Sequence, residues 1–254
     1  MRLFIEALTD VGRERDHNED SVHADVLHRF VIVADGMGGH NAGEVASALA
    51  VKTMGSALRP LYPENPAEAL PEGPAGGWLR WVITRSNRAI REAAAANPEQ
   101  ANMGTTVVSL MRIGDELELG HVGDSRCYRL RQGRLEQLTK DHSAAAQHEE
   151  LTDDDDLMRD FLGDQKVPTN VITRALGVSD EVEVDTRREK MVAEDVYLLC
   201  SDGLTGMVKD QAIQLILRQS PDLRTACQSL VQAANAGGGM DNITVALAIV
   251  LPDE

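Results

Sequence analysis

Two runs with the character of buried strands, Phe30-Val31-Ile32-Val33-Ala34 and Val196-Tyr197-Leu198-Leu199-Cys200, break into the same dipeptide: Asp35-Gly36 directly, and Asp202-Gly203 after one serine. A nearly continuous β-branched and aliphatic run marks a strand that is covered on both faces. A carboxylate beside glycine at the end of such a strand is ordinarily a turn former, because aspartate tolerates turn geometry and glycine frees the backbone. Three more acidic sites repeat the pattern. Asp241 follows Gly237-Gly238-Gly239 and precedes the last strand, Asp124 sits in Val122-Gly123-Asp124-Ser125-Arg126 between two strands, and Glu19-Asp20 closes Arg15-Asp16-His17-Asn18. Strand ends converge at the edge of packed sheets, so these carboxylates can meet in one pocket. Alone there they would repel one another, and some would have to protonate.

The rest of the chain fits such an edge. Short apolar runs from Leu3 to about Val33 predict early strands. Helices are predicted over Ala42–Leu58 and from about Trp78 to Ala96, separated by the proline-rich loop from Pro60 to Gly77. Strands follow at Val107–Ile113, Leu117–Val122, Cys127–Leu130 and Leu135–Leu138, the last two flanking a tight turn at Gln132-Gly133. A polar, acidic segment over residues 141–170 precedes strands at Glu181–Thr186 and Val196–Cys200, helices at Asp210–Gln219 and Leu223–Ala236, and a final strand at Ile243–Val250. Hairpin-spaced strands with helices in two separate pairs argue against a βαβ parallel sheet. They predict an α+β fold, an α-β-β-α sandwich of two antiparallel sheets flanked by helix pairs. With 254 residues and 43% hydrophobic side chains the chain can bury one large core, and residues 1–254 are expected to form a single domain.

Charge narrows the partners. Twenty-five basic against 41 acidic side chains leave a formal net charge of −16. Such a surface repels nucleic acid and anionic lipid, both of which rely on Lys and Arg meeting phosphate. Excess carboxylate also suits a protein that holds divalent cations, and the motifs must decide. Cys127, Cys200 and Cys227 form no CxxC pair and are expected to be reduced core residues of a cytosolic protein. The segment Met1-Arg2-Leu3-Phe4-Ile5-Glu6 reaches an acid too early for a signal peptide, and no apolar run approaches the roughly 20 residues of a membrane span. A cytoplasmic location follows as the expectation.

The ligand types select the ion. Aspartates, a glycine carbonyl and waters are hard oxygen donors suited to Mg²⁺ or Mn²⁺. Two such ions activate water and clamp a phosphoryl group, so metal-dependent phosphoester hydrolysis is the natural chemistry.

In this light Arg15-Asp16-His17-Asn18-Glu19-Asp20, Asp35-Gly36-Met37-Gly38-Gly39-His40, Gly104-Thr105-Thr106, Val122-Gly123-Asp124-Ser125-Arg126, Cys200-Ser201-Asp202-Gly203-Leu204 and Asp241-Asn242-Ile243-Thr244 stand in an informative order. Together they resemble the motif set of the metal-dependent protein serine/threonine phosphatases, the PP2C family, in its bacterial form. The resemblance runs from about residue 8 to about residue 250. It implies hydrolysis of phosphoserine and phosphothreonine by a water bridging two Mn²⁺ or Mg²⁺ ions, with a third, weaker ion in bacterial members. By that resemblance Asp35 bridges the two core ions, the Gly36 carbonyl binds one, Asp202 and Asp241 complete the set, and Glu19 and Asp20 hold the ions' waters. Asp124 matches the third-ion ligand, shared with Asp202. Arg15 matches the guanidinium that grips the substrate phosphate, a task its fork geometry suits; the alternative for Arg15 is an ion pair with nearby acids.

The proton donor to the departing Ser or Thr oxygen is less well marked. Met37 stands where many eukaryotic relatives carry histidine. His40 matches a histidine of bacterial relatives and is the candidate, with a metal-bound water as its rival. The resemblance makes 141–170 the flap, an insert beside the active site. This chain departs from it there, with Val167-Pro168-Thr169-Asn170 where relatives commonly show His-Pro before the asparagine. Asp153-Asp154-Asp155-Asp156 lacks the alternation and glycine of a calcium loop, and Thr152 predicts a helix start instead. Phosphoprotein substrates, an opposing bacterial Ser/Thr kinase and a monomer complete the expectations. The competing readings are a metal-free binding module, a nucleotide phosphoesterase and a phosphatase devoted to one regulatory partner. The first would have lost aspartates, the second would carry histidine ligands, and the third would carry a sensor domain.

Overall fold

The computed structural model describes residues 1–25, 27, 29–38, 42–62, 73–148 and 171–253. One sheet has the order β1 (Arg2–Asp10), β11 (Ile243–Leu251), β10 (Val196–Cys200), β7 (Arg126–Arg131), β8 (Arg134–Gln137). The other has the order β2 (Asp20–Ala24), β3 (Phe30–Met37), β5 (Val107–Ile113), β6 (Glu116–Val122), β9 (Asp185–Lys190), with the short β4 (Gly104–Thr105) paired to β3. Every one of these pairings is antiparallel.

The apolar runs are explained by three buried layers. Along β3, Phe30, Ile32 and Ala34 join a core shared with α1 (Ala42–Leu58) and α2 (Gly77–Ala96), while Val31 and Val33 face the core between the sheets. Along β10, Tyr197 and Leu199 face the same central core, and Leu198 and Cys200 face the opposite helical layer. That layer is built by α3 (Asp202–Thr205), α4 (Asp210–Gln219) and α5 (Leu223–Ala236). Because side chains alternate across a strand, a strand sandwiched between two cores must be apolar at every position. On α2 the buried stripe Leu79, Val82, Ile83, Ser86, Asn87 and Ile90 has helical spacing. Its aliphatic members contribute about 2 kcal/mol each when buried. The α-β-β-α sandwich is therefore present, with helices covering both outer faces.

Three features differ from the sequence reading by more than a residue at a boundary. β3 does not stop at Ala34; Asp35 pairs with Asp20 on β2, and Gly36 and Met37 pair with Thr105 and Gly104 on β4. Asp202 does not lie in a plain turn but begins α3, a single helical turn. The strand expected at Glu181–Thr186 lies instead at Asp185–Lys190. Val182 and Val184 supplied the misleading alternation, yet they pack into the helix-side core from outside any strand. The true strand, Asp-Thr-Arg-Arg-Glu-Lys, is a polar edge held on β6, with Arg188 reaching Glu116 and Glu118.

Candidate metal centre

The register of β2 against β3 sets Asp20 opposite Asp35. The Asp35 backbone is fixed by Thr105-Thr106: its N–H donates to Thr106 Oγ1 at 3.2 Å, and its carbonyl accepts from the Thr106 N–H and the Thr105 hydroxyl, both at 2.8 Å. Gly36 is required by space. A Cβ there would lie 2.1 Å from the Gly43 carbonyl oxygen and 2.5 Å from that of Glu19. Its N–H donates to the Glu19 carbonyl at 3.1 Å, which ties β3 to the 11–19 loop.

Asn242 fastens that loop to β11. Its Oδ1 accepts from the Glu19 N–H at 2.8 Å, and its Nδ2 donates to the Val11 and His17 carbonyls at 2.9 and 3.0 Å. Its own N–H donates to Asp241 Oδ1 at 2.8 Å. Ser201 ties Asp20 to β11: its hydroxyl donates to Asp20 Oδ2 at 2.8 Å and accepts from the Thr244 N–H at 3.0 Å.

Asp35, Asp20, Asp202, Asp124 and Asp241 are thus close enough to act on one another. Burial, then Asp20, Asp202, Asp124 and Asp241 in turn, push the Asp35 carboxyl well above the usual carboxylate range. Burial raises Asp20 to about 7, against the hydrogen bonds from Thr244 and Ser201. Burial and then Asp241 raise Asp202, opposed by a hydrogen bond with Asp35. Burial and Asp202 raise Asp124 to about 6, and Asp124 Oδ1 is a buried oxygen with no hydrogen-bond partner. Arg15 answers the cluster: its Nη2 donates to Asp241 Oδ2 at 2.7 Å, and its Nη1 lies 3.9 Å from Glu19 Oε2. The ion-pair alternative for Arg15 is realised, although its side chain remains 46% exposed.

This donor set fits a divalent cation. Hard carboxylate oxygens gathered at one edge, one of them buried without a hydrogen-bond partner, are the donors such an ion takes. A second cluster does not fit. His121, His142 and Asp185 have candidate ligand atoms within 4.8 Å of one another. However, His142 Nδ1 accepts from the Gly123 N–H at 3.1 Å, so in the neutral ring Nε2 carries the proton and lies 3.2 Å from Asp185 Oδ2. With Arg174 Nη1 also 3.2 Å from that Nε2, the ring nitrogen is not available to a cation.

Of the residues singled out from sequence, Arg15, Glu19, Asp20, Asp35, Gly36, Asp124, Asp202 and Asp241 come together. His40 lies outside the described residues, as do most of the 141–170 segment and the Asp153–Asp156 run. The supports Thr106, Ser201 and Asn242 had no sequence role assigned. Their signal was available, since each is a small polar residue inside a motif that also carries a carboxylate or its neighbour. The cysteines are free and buried; burial pushes Cys200 and Cys227 up to about 12 and raises Cys127 further. None is a thiolate nucleophile.

Oxygen donors gathered at the common edge of two stacked antiparallel sheets, with helices outside, define a metal-dependent phosphatase. The family model described as protein phosphatase 2C matches residues 12–244, and the chain belongs to that family. It is 39% identical over 248 residues to the serine/threonine phosphatase stp of Listeria welshimeri, covering 96% of this chain and 95% of that one. Among solved structures it is similar to Stp1 of Staphylococcus aureus (TM-score 0.81, 33% identity, 99% of this chain and 96% of that one). It is also similar to the catalytic domain of the phosphatase PstP solved with two manganese ions (TM-score 0.80, 36% identity, 98% and 99% of the two chains).

Proposed function

We propose that this protein is a protein serine/threonine phosphatase that hydrolyses phosphoserine and phosphothreonine with two Mn²⁺ or Mg²⁺ ions. The observation that carries the reading is the gathering of Asp20, Asp35, Asp124, Asp202 and Asp241 at one edge of the sheets, supported by the family match and the manganese-bound relative. Asp35, Asp202, Asp241 and the Gly36 carbonyl would hold the two core ions, and Glu19 and Asp20 would hold their waters. Asp124, with its unpartnered oxygen, would hold a third ion together with Asp202. When bound, the ions supply water activation and neutralise charge on the phosphoryl group.

The protein's own groups do the rest. Arg15, which bonds Asp241 and keeps its side chain 46% exposed, is the guanidinium that grips the substrate phosphate. Ser201, Asn242 and Thr106 keep the carboxylates aimed while substrate enters. His40, as imidazolium, gives a proton to the departing Ser or Thr oxygen and is left as neutral imidazole.

The substrates are phosphoproteins, and the setting is opposition to a bacterial Ser/Thr kinase in the cytoplasm by a monomeric enzyme. No described helix is long and apolar enough to cross a membrane. Residues 1–254 work as one phosphatase domain with an insert at about 141–170, a reading supported by the family match over 12–244. Turnover of p-nitrophenyl phosphate and a phosphothreonine peptide with Mn²⁺, and its loss with chelator, is the test. Equal turnover with and without chelator would overturn the assignment.

A further inference from the structure

His142 grips Gly123, the residue before Asp124, at both its N–H and its carbonyl. The Gly123 N–H donates to His142 Nδ1 at 3.1 Å, and the His142 N–H donates to the Gly123 carbonyl at 3.0 Å. Gly123 has little freedom elsewhere. Its φ is +104°, and a Cβ would stand 2.6 Å from Thr106 Cβ. Thr106 in turn bonds Ser125 Oγ at 2.7 Å and the Asp35 backbone. The Gly123-Asp124-Ser125 loop is therefore clamped between Thr106, which also sets Asp35, and His142.

The histidine is itself held in one tautomer and one plane. Nε2–H lies 3.2 Å from Asp185 Oδ2, whose other oxygen accepts from Arg174 Nη1 at 3.3 Å. Arg174 Nη2 continues to Glu183 Oε2 at 2.8 Å. The His121 ring stacks on His142 at 4.7 Å and 20°, and its own Nε2 donates to the Lys140 carbonyl at 2.9 Å. Burial, and then His121, lower the affinity of His142 for a second proton, consistent with the neutral ring the geometry demands. The Thr173 N–H donates to the His142 carbonyl at 2.8 Å, so the relay includes the chain that leads to Arg174.

We propose that His142 is a positioning residue: its Nδ1 fixes the Gly123 peptide and thereby aims the Asp124 carboxylate, so that the Arg174–Asp185–His142 relay sets how firmly the weakest cation is held. This rests on the reading of Asp124 as a ligand. A histidine that merely filled the core would affect stability and nothing at Asp124.

Two variants separate the roles. His142→Asn keeps an acceptor oxygen near the place of Nδ1; His142→Leu keeps volume and removes the acceptor. In the metal-free protein, His142→Leu should speed hydrogen exchange of the Gly123 amide about tenfold, and in a Mn²⁺ titration it should weaken the last ion bound by about tenfold, the usual scale for losing a ligand's support. The two tight ions should survive dialysis, KM for a phosphothreonine peptide should hold, and kcat should fall at limiting Mn²⁺. His142→Asn should recover most of each loss, and His142→Leu should add nothing to Asp124→Ala. Unchanged Gly123 exchange and Mn²⁺ affinity in His142→Leu, equal losses in both variants, or additive losses with Asp124→Ala would overturn the proposal. If His142→Leu does not fold, Asp185→Ala decides, since Asp185 is 45% exposed; the same direction of change supports the relay, and wild-type values refute it. Asp124→Ala with an intact weak site refutes the ligand reading. A defective Asp124→Ala beside an undisturbed His142→Leu refutes positioning alone.

Discussion

Asp35 is the residue on which the others converge, and its two functions are opposed. Without cations it is a liability, because four carboxylates add to burial in raising its proton affinity; with cations it would be the shared ligand of the proposed centre. Asp35→Asn removes the charge and keeps the shape. Turnover with saturating Mn²⁺ should fall by about 100-fold or more, since a neutral amide neither bridges cations nor balances their charge. The metal-free variant should melt about 3 °C or more above the metal-free wild type, the scale for relieving roughly 1 kcal/mol of repulsion in a chain of this size. A variant that keeps most of its kcat, or that melts lower without metal, would refute the shared-ligand assignment.

At the scale of elements, the site is where α3 and the start of β11 touch. A Cβ on Gly203 would sit 2.0 Å from the Asn242 carbonyl oxygen, a backbone atom that has no room to yield. Gly203→Ala should push Asp202 and Asp241 apart. The expected outcome is a melting temperature lower by about 5 °C, in line with 1–3 kcal/mol for overpacking, and Mn²⁺ affinity weakened more than Gly206→Ala weakens it. At Gly206 the added atom meets only the Asp202 carbonyl oxygen at 3.1 Å. Equal effects of the two substitutions would show that the contact is slack. β5 and β10 were legible in sequence from the nearly continuous apolar runs of strands buried on two faces, and α1, α4 and α5 from their helical spacing; all five match their expected limits. β9 was not legible, since an edge strand made of Arg and Glu is specified by partners on β6 and not by its own pattern. The carboxylates of the site were legible from their motifs. His142, Asp185 and Arg174 were not grouped, because they lie on separate stretches that only the fold brings together.

For the whole molecule, an acidic cluster inside a chain of net charge −16 makes metal and pH act on stability together. Asp20 and Asp124 titrate at about 7 and about 6 in the folded chain, against ordinary values near 4 when unfolded. The folded state then binds more protons between pH 4 and 7, so metal-free stability is gained on acidification and lost as pH rises through 6 to 7. Metal-free protein should melt higher at pH 6 than at pH 8. Millimolar Mn²⁺ should raise the pH 8 value most, because cations replace the missing protons. Thermal scans at both pH values with Mn²⁺ and with chelator check this, and curves indifferent to both would count against the cluster. The buried cysteines carry a different consequence. Oxidants attack thiolates that solvent can reach, and here Cys127, Cys200 and Cys227 are sealed in the protein and protonated. Hydrogen peroxide at doses that silence thiol-dependent phosphatases should leave the thiols of this one unmodified by mass spectrometry. A cell under oxidative attack would keep erasing phosphate marks through this enzyme while its cysteine-based counterparts fell silent.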